Sequence, residues 1–171
     1  PPKLIQACSL GSLMGYGDKK GEWTAVQKLK RIKNAGFEGF VGRVHMLTKE
    51  EAAASGLVFA CTTDMGNGKT EPMRKLKRCK AWVARVVNVQ MLDHDTLTPE
   101  AVRVARAVMA AAGELELDVS IEVHRDTCTE TPEKAYALAE GFEKAERRPL
   151  KMTWDFSHPA VIKHLNPPYY K

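Results

Sequence analysis

The chain has 171 residues, with 26 Lys and Arg against 21 Asp and Glu and a formal net charge of +5. Hydrophobic residues make up 44% and charged residues 27%, the balance of a soluble globular domain with one sizeable core. No apolar run reaches the roughly 18 residues that a membrane-spanning helix needs, and the opening "PPKLIQACSL" has no signal-peptide pattern, so a cytoplasmic protein is expected.

Apolar runs and helical patterns alternate from the start. The first strand reads "KLIQACS", and a helix over about 22–35 follows, with Trp23, Val26, Leu29 and Ile32 at steps of three and Gly36 as its stop. "FEGFVGRVH" is the second strand, "TKEEAAAS" a short helix, and "LVFACTTD" the third strand. The next helix starts near Thr70 and Pro72 and carries Met73, Leu76, Cys79 and Val83. It also holds "RKLKRCK", five basic residues in seven, read as a solvated face; with no aromatics interleaved it is a poor single-strand site, so nucleic acid is not an expected partner. "RVVNVQML" is the fourth strand. Thr98 then caps a helix with Pro99 at its first position and a stripe of Val102, Ala105, Met109 and Ala112. "LDVSIEVH" is the fifth strand. A helix opened by Thr131 and Pro132 presents Ala135, Leu138, Phe142 and Ala145, and "LKMTWDF" is the sixth strand.

This is an α/β pattern with a parallel sheet, in one domain over residues 1–171. Central strands of an open parallel sheet read as continuous apolar runs. These alternate instead: Val119, Ile121 and Val123 oppose Ser120, Glu122 and His124; Met152, Trp154 and Phe156 oppose Thr153 and Asp155; Val87 and Val89 oppose Asn88 and Gln90. A polar face shared by several parallel strands predicts the lumen of a (β/α) barrel of TIM type. Such a barrel takes about 250 residues. Six of its eight units fit here, and the chain is read as incomplete at its C-terminus, where "HLNPPYYK" follows the start of a sixth helix.

In a barrel the C-terminal strand ends form the active face. Arg43, His45, Asp64, Gln90, Asp93, His94, Glu122, His124, Asp155 and His158 all fall there. Glu122 and Asp155 lie near the ends of neighbouring strands. Two carboxylates side by side repel unless a cation or proton sits between them, and oxygen with imidazole donors suits Mn²⁺, Mg²⁺, Co²⁺ or Zn²⁺. A barrel-lining ion pair, such as Glu122 with Arg43, stays open as the alternative.

"SIEVHRDT" and "TWDFSHP", with "AGFEGF" and "VNVQ", resemble the xylose isomerase-like barrels, a superfamily of sugar-phosphate isomerases and epimerases, ketose 3-epimerases and endonuclease IV-type enzymes. The resemblance covers essentially the whole chain. It implies a divalent metal held by Glu122 and Asp155, with a further His and Glu from two more strands. It implies His158 at the substrate or a second metal, and Glu122 also as a base. The chemistry implied is proton transfer next to a carbonyl through a metal-stabilised enediolate. Arg43, His45, Gln90, His94, His124 and Lys69 would contact a sugar or sugar phosphate, and a homo-oligomer is compatible with this. An endonuclease IV-like phosphodiesterase and a non-catalytic barrel are the alternatives.

"TDMGNGKT" stands where a phosphate loop would, but Thr63 replaces the first glycine of the GxxxxGK[ST] pattern. Amides near Gly66 and Gly68, with Lys69, remain candidates for a sugar phosphate. "HRDTCTE" has Thr131 where a kinase catalytic loop needs Asn. The four cysteines, Cys8, Cys61, Cys79 and Cys128, form no CxxC pair and read as reduced thiols, Cys128 on a surface loop.

Overall fold

The computed structural model describes residues 4–19 and 21–162, so the "HLNPPYYK" stretch lies outside the described residues. Its strands are β1 (Ala7–Ser9), β2 (Gly17–Asp18), β3 (Gly21–Glu22), β4 (Gly39–Gly42), β5 (Val58–Met65), β6 (Val86–Met91), β7 (Asp118–Val123) and β8 (Met152–Trp154). Its helices are α1 (Ala25–Asn34), α2 (Lys49–Ala54), α3 (Glu71–Ala81), α4 (Thr98–Glu114), α5 (Pro132–Glu146) and α6 (Ser157–Ile162). Six parallel strands follow the order β1-β4-β5-β6-β7-β8 with helices between them, an α/β fold that corresponds to part of a TIM-type barrel. Among the described residues no helix is long and apolar enough to cross a membrane. Two compact units divide the chain, residues 1–62 with 77–87 and residues 63–76 with 88–171.

In the first unit, β1 pairs with β4 and β4 with β5, all parallel, in a register that puts Phe40 beside Phe59 and Gly42 beside Cys61. The two phenyl rings stack at 4.6 Å. A side chain at Gly39 would meet the Val58 carbonyl at 2.8 Å, so that close strand approach requires glycine. Helix α1 starts three residues later than its apolar pattern suggests. Thr24 caps it and Gln27 returns the bond, a capping box that ends the preceding β-ribbon of β2 and β3. Leu29 and Ile32 are buried as expected, but Val26 is exposed and Trp23 precedes the helix. The second strand is also shorter than read, so Arg43 and His45 lie in the turn beyond β4. Cys61 and Cys79 meet at 3.5 Å between sulfurs, both buried; Cys79 hydrogen-bonds the Cys61 thiol, and burial adds to push it well above the usual thiol range.

In the second unit, Val119, Ile121 and Val123 of β7 are fully buried, as are Val89 and Met91 of β6. Helices α4 and α5 pack on each other. The buried stripe of α4 is Ala101, Val104, Ala105, Val108, Ala111 and Ala112, which keeps Ala105 and Ala112 of the stripe read from the sequence and leaves Val102 and Met109 half-buried at its edge. Leu97, not Thr98, stands at the cap of α4, and no side chain closes it. In α5 Thr131 does cap the helix, accepting from the Lys134 amide, and Ala135, Leu138 and Phe142 are buried. A side chain at Gly141 would meet Val102 at 2.7 Å, so small size at that position lets the two helices close. Cys128 is buried beneath the loop after β7, and burial pushes its thiol up to about 12. It is not the surface thiol its loop position predicts. Removing the fully buried ring in Phe142→Ala is expected to destabilise the fold by about 3–5 kcal/mol, measurable by urea denaturation.

Candidate functional site

The site grows from two rows of side chains on the inner face of β6, β7 and β8. In the first row, Ser120 Oγ lies 2.6 Å from Thr153 Oγ1 and 3.5 Å from Asn88 Oδ1. Two residues further along the same faces, Gln90 follows Asn88 and Glu122 follows Ser120, while Asp155 stands just past the end of β8, where Glu122 is in register with Thr153. Glu122 is 8% exposed, and its Oε2 is buried with no hydrogen-bond partner among the described residues. A buried acceptor left this way costs about 1–3 kcal/mol, and more if charged.

The backbone around Glu122 is held by hydroxyls. Thr129 Oγ1 donates to the Glu122 carbonyl at 2.6 Å, and the His124 amide donates to the same Thr129 oxygen. Thr127 Oγ1 donates to the His124 carbonyl at 2.7 Å. Both threonines are buried, so the end of β7 is locked from its own following loop. Sequence reasoning passed over them; the spaced "TCTET" hydroxyls after a strand end were the available signal.

Asp155 follows β8. Its Oδ1 accepts from the Ser157 amide at 2.9 Å and the Ser157 hydroxyl at 2.6 Å. The Ser157 hydroxyl bond holds the Asp155 carboxyl below the usual carboxylate range, with smaller help from the Ser157 amide, His158 and His124. His158 lies in the first turn of α6, not on a free loop, with Nε2 3.5 Å from Asp155 Oδ2. The rings of His158 and His124 are 3.9 Å apart, tilted by 48°. Burial, then His124, lowers the His158 pKa, against opposing pulls from Asp155 and Glu122. One ligand atom each from Glu122, Asp155 and His158 lies within 4.8 Å of the others. Two carboxylate oxygens, one unpartnered, and an imidazole kept neutral are a donor set that fits a divalent ion.

The structure places the other expected residues as follows. Gln90 lines a cavity of about 500 Å³ that runs out past Asp64, Glu71, Lys75, Asp93 and Glu100. His94 is in the turn after β6, between Asp93 at 2.7 Å and Asp95 at 3.5 Å, a second acidic group that is wholly exposed. Lys69 is exposed on the loop before α3. Arg43 and His45 belong to the first unit, where the Arg43 amide meets the Met46 sulfur at 3.4 Å and the Met46 amide donates back to the Arg43 carbonyl.

No family model and no curated protein matches the chain. Solved structures do. A xylose isomerase-like TIM barrel/4-hydroxyphenylpyruvate dioxygenase fusion protein matches at TM-score 0.61 and 17% identity, over 83% of this chain and 25% of that one. The probable 3-DHS dehydratase AsbF of Bacillus anthracis matches at TM-score 0.63 and 14% identity, over 92% of this chain and 65% of that one. The 3-keto-D-glucoside 4-epimerase YcjR of E. coli matches at TM-score 0.59 and 14% identity, over 95% and 72%. The chain thus shares a TIM-type barrel fold with these proteins while spanning a quarter to two thirds of the length of the first two. At this identity the likeness is one of fold, and the chemistry has to come from the residues.

A lowered imidazole pKa has a definite sign. Folding disfavours protonated His158, so its contribution to stability is present above the unfolded pKa and is lost as pH falls toward the folded one. In the metal-free protein, His124→Ala is expected to raise the His158 pKa, read by NMR titration of the ring protons.

Proposed function

We propose that this chain belongs to a divalent-metal-dependent sugar isomerase or epimerase. The observation that carries the reading is the Glu122 Oε2 atom, buried and unpartnered beside Asp155 and His158. A fold keeps such an oxygen when something else completes it. Glu122, Asp155 and His158 would hold the ion, which when bound would polarise the carbonyl and hydroxyl oxygens next to it.

The remaining work falls to the chain's own groups. The Glu122 carboxylate would move a proton at the carbon next to the substrate carbonyl. His158, whose neutral form is favoured by burial, offers a lone pair to the ion without first losing a proton. His124, packed on His158, would meet substrate oxygens from the side, and Gln90 would present both an amide donor and an acceptor to sugar hydroxyls. The Thr127 and Thr129 hydroxyls would keep the Glu122 and His124 backbone from shifting as the substrate turns over. The sugar epimerase and dehydratase among the similar folds lend this class of substrate support by analogy.

Two measurements test the reading. Calorimetric titration of Mn²⁺ should show binding that weakens by about a hundredfold or more in Glu122→Gln, since losing a direct ligand costs at least what disturbing its outer-shell partners does. Exchange of a ketose C–H proton with solvent deuterium should need Glu122. Absence of Mn²⁺ binding in the wild type, or unchanged binding in Glu122→Gln, would defeat it.

A further inference from the structure

The loop between β5 and α3 is the part of the second unit whose sequence most resembles an anion cradle, and the structure shows it already filled. Glu71, the first residue of α3, folds its carboxylate back over the loop. Its Oε2 stands 2.8 Å from where a side chain at Gly66 would begin and 3.4 Å from the same point at Gly68. Both glycines are thus explained by the approach of the chain's own carboxylate. Glu71 accepts the Gly66 N–H, and Lys75 reaches its Oε1 at 2.6 Å. Lys75 also donates to the Asp64 carbonyl at 3.0 Å. The Gly66 amide and the Lys75 ammonium are therefore both engaged by Glu71, while Lys69 stays exposed on the loop.

The same carboxylate lines the cavity that opens from Gln90, which lies two residues past Asn88 on β6 as Glu122 lies two past Ser120 on β7, the pair that meets at 3.5 Å. Asp64, Asp93 and Glu100 line that cavity too, while Lys75 is its only basic lining residue among the described residues. A phosphate carries about −1.5 to −2 charges at neutral pH. Brought here it would face several carboxylates and would have to displace Glu71 to reach the Gly66 amide or the Lys75 ammonium. A sugar hydroxyl meets no such opposition, since each carboxylate oxygen and amide can accept from or donate to it. The lowered pKa of Glu71, caused first by Lys75, keeps the plug charged at working pH.

We propose that Glu71 is a specificity-determining residue that closes the 66–71 loop to phosphate, so that the substrate presents an uncharged, hydroxyl-bearing end to this cavity. The inference rests on the isomerase or epimerase reading for its substrate, but Glu71's occupancy of the loop is tested without it. Inorganic phosphate is titrated by calorimetry into the wild type, Glu71→Ala and Glu71→Gln, each checked for folding by circular dichroism. The wild type should not bind at millimolar concentration, and Glu71→Ala should gain binding by about tenfold or more, the effect of removing one close like charge. Glu71→Gln, which keeps the shape and loses the charge, should gain part of it and covers the case of a misfolded alanine variant. Phosphate binding by the wild type overturns the proposal, as does a failure of the folded variants to gain any. Mn²⁺ titrated into the same proteins separates the two ideas: Glu71 variants should bind it as the wild type does. A wild type that binds no Mn²⁺ would sink the metal reading while the phosphate result stands.

Discussion

Strand β7 is buried on both faces, and that constraint organises the second unit. Apolar Val119, Ile121 and Val123 take one side, so the pleat sends Ser120 and Glu122 to the other, where little of either reaches bulk water. A polar side chain in that position needs a partner. Ser120 finds Thr153 and Asn88, which ties β7 to its neighbours by hydroxyl and amide contacts. Glu122 does not find one for Oε2, and it shares a group of metal-ligand type with Asp155 and His158, which makes this the candidate site. The helices on the outer face are what make this affordable: α4 and α5 close tightly over a stripe dominated by alanine and valine.

The period-two alternation made the parallel strands and the inward direction of Glu122 legible, because both depend only on which residues alternate. What was not legible depends on partners outside the pattern. Helix α1 begins late because Thr24 and Gln27 satisfy each other's backbone, an arrangement that outweighs the apolar spacing of Trp23 and Val26. On α4 Ala105 and Ala112 are buried as read, but the buried face also takes in Ala101, Val104, Val108 and Ala111, small residues that a step-of-three stripe passes over. Cys128 reads as a loop thiol since its neighbours are Thr, Asp and Glu, yet the loop turns inward and its amide donates to the Met91 carbonyl.

The candidate site divides in the same way. Glu122, Asp155 and His158 were found from residue type and position. The groups that hold them, Thr127, Thr129 and Ser157, are small hydroxyl residues whose meaning lies in which carbonyl, amide or carboxylate they reach. His158 reads only as a residue past a strand end; Asp155 accepts from the Ser157 amide and hydroxyl at the opening of α6, which sets the histidine in a helical turn. The glycines of the 66–71 loop give the sharpest case. Their spacing signals a backbone that something approaches closely, and the sequence alone does not say that the visitor is Glu71.

The burial of the thiols has a practical side. Cys61, Cys79 and Cys128 are enclosed, and the surroundings hold the Cys61 and Cys128 sulfurs in the protonated, unreactive form. Cys8, on β1, is the one cysteine that keeps partial access to solvent. A maleimide dye or spin label added to the native protein would therefore attach there first. The chain carries a built-in handle for single-site labelling in the first unit, while Glu122, Asp155 and His158 belong to the second.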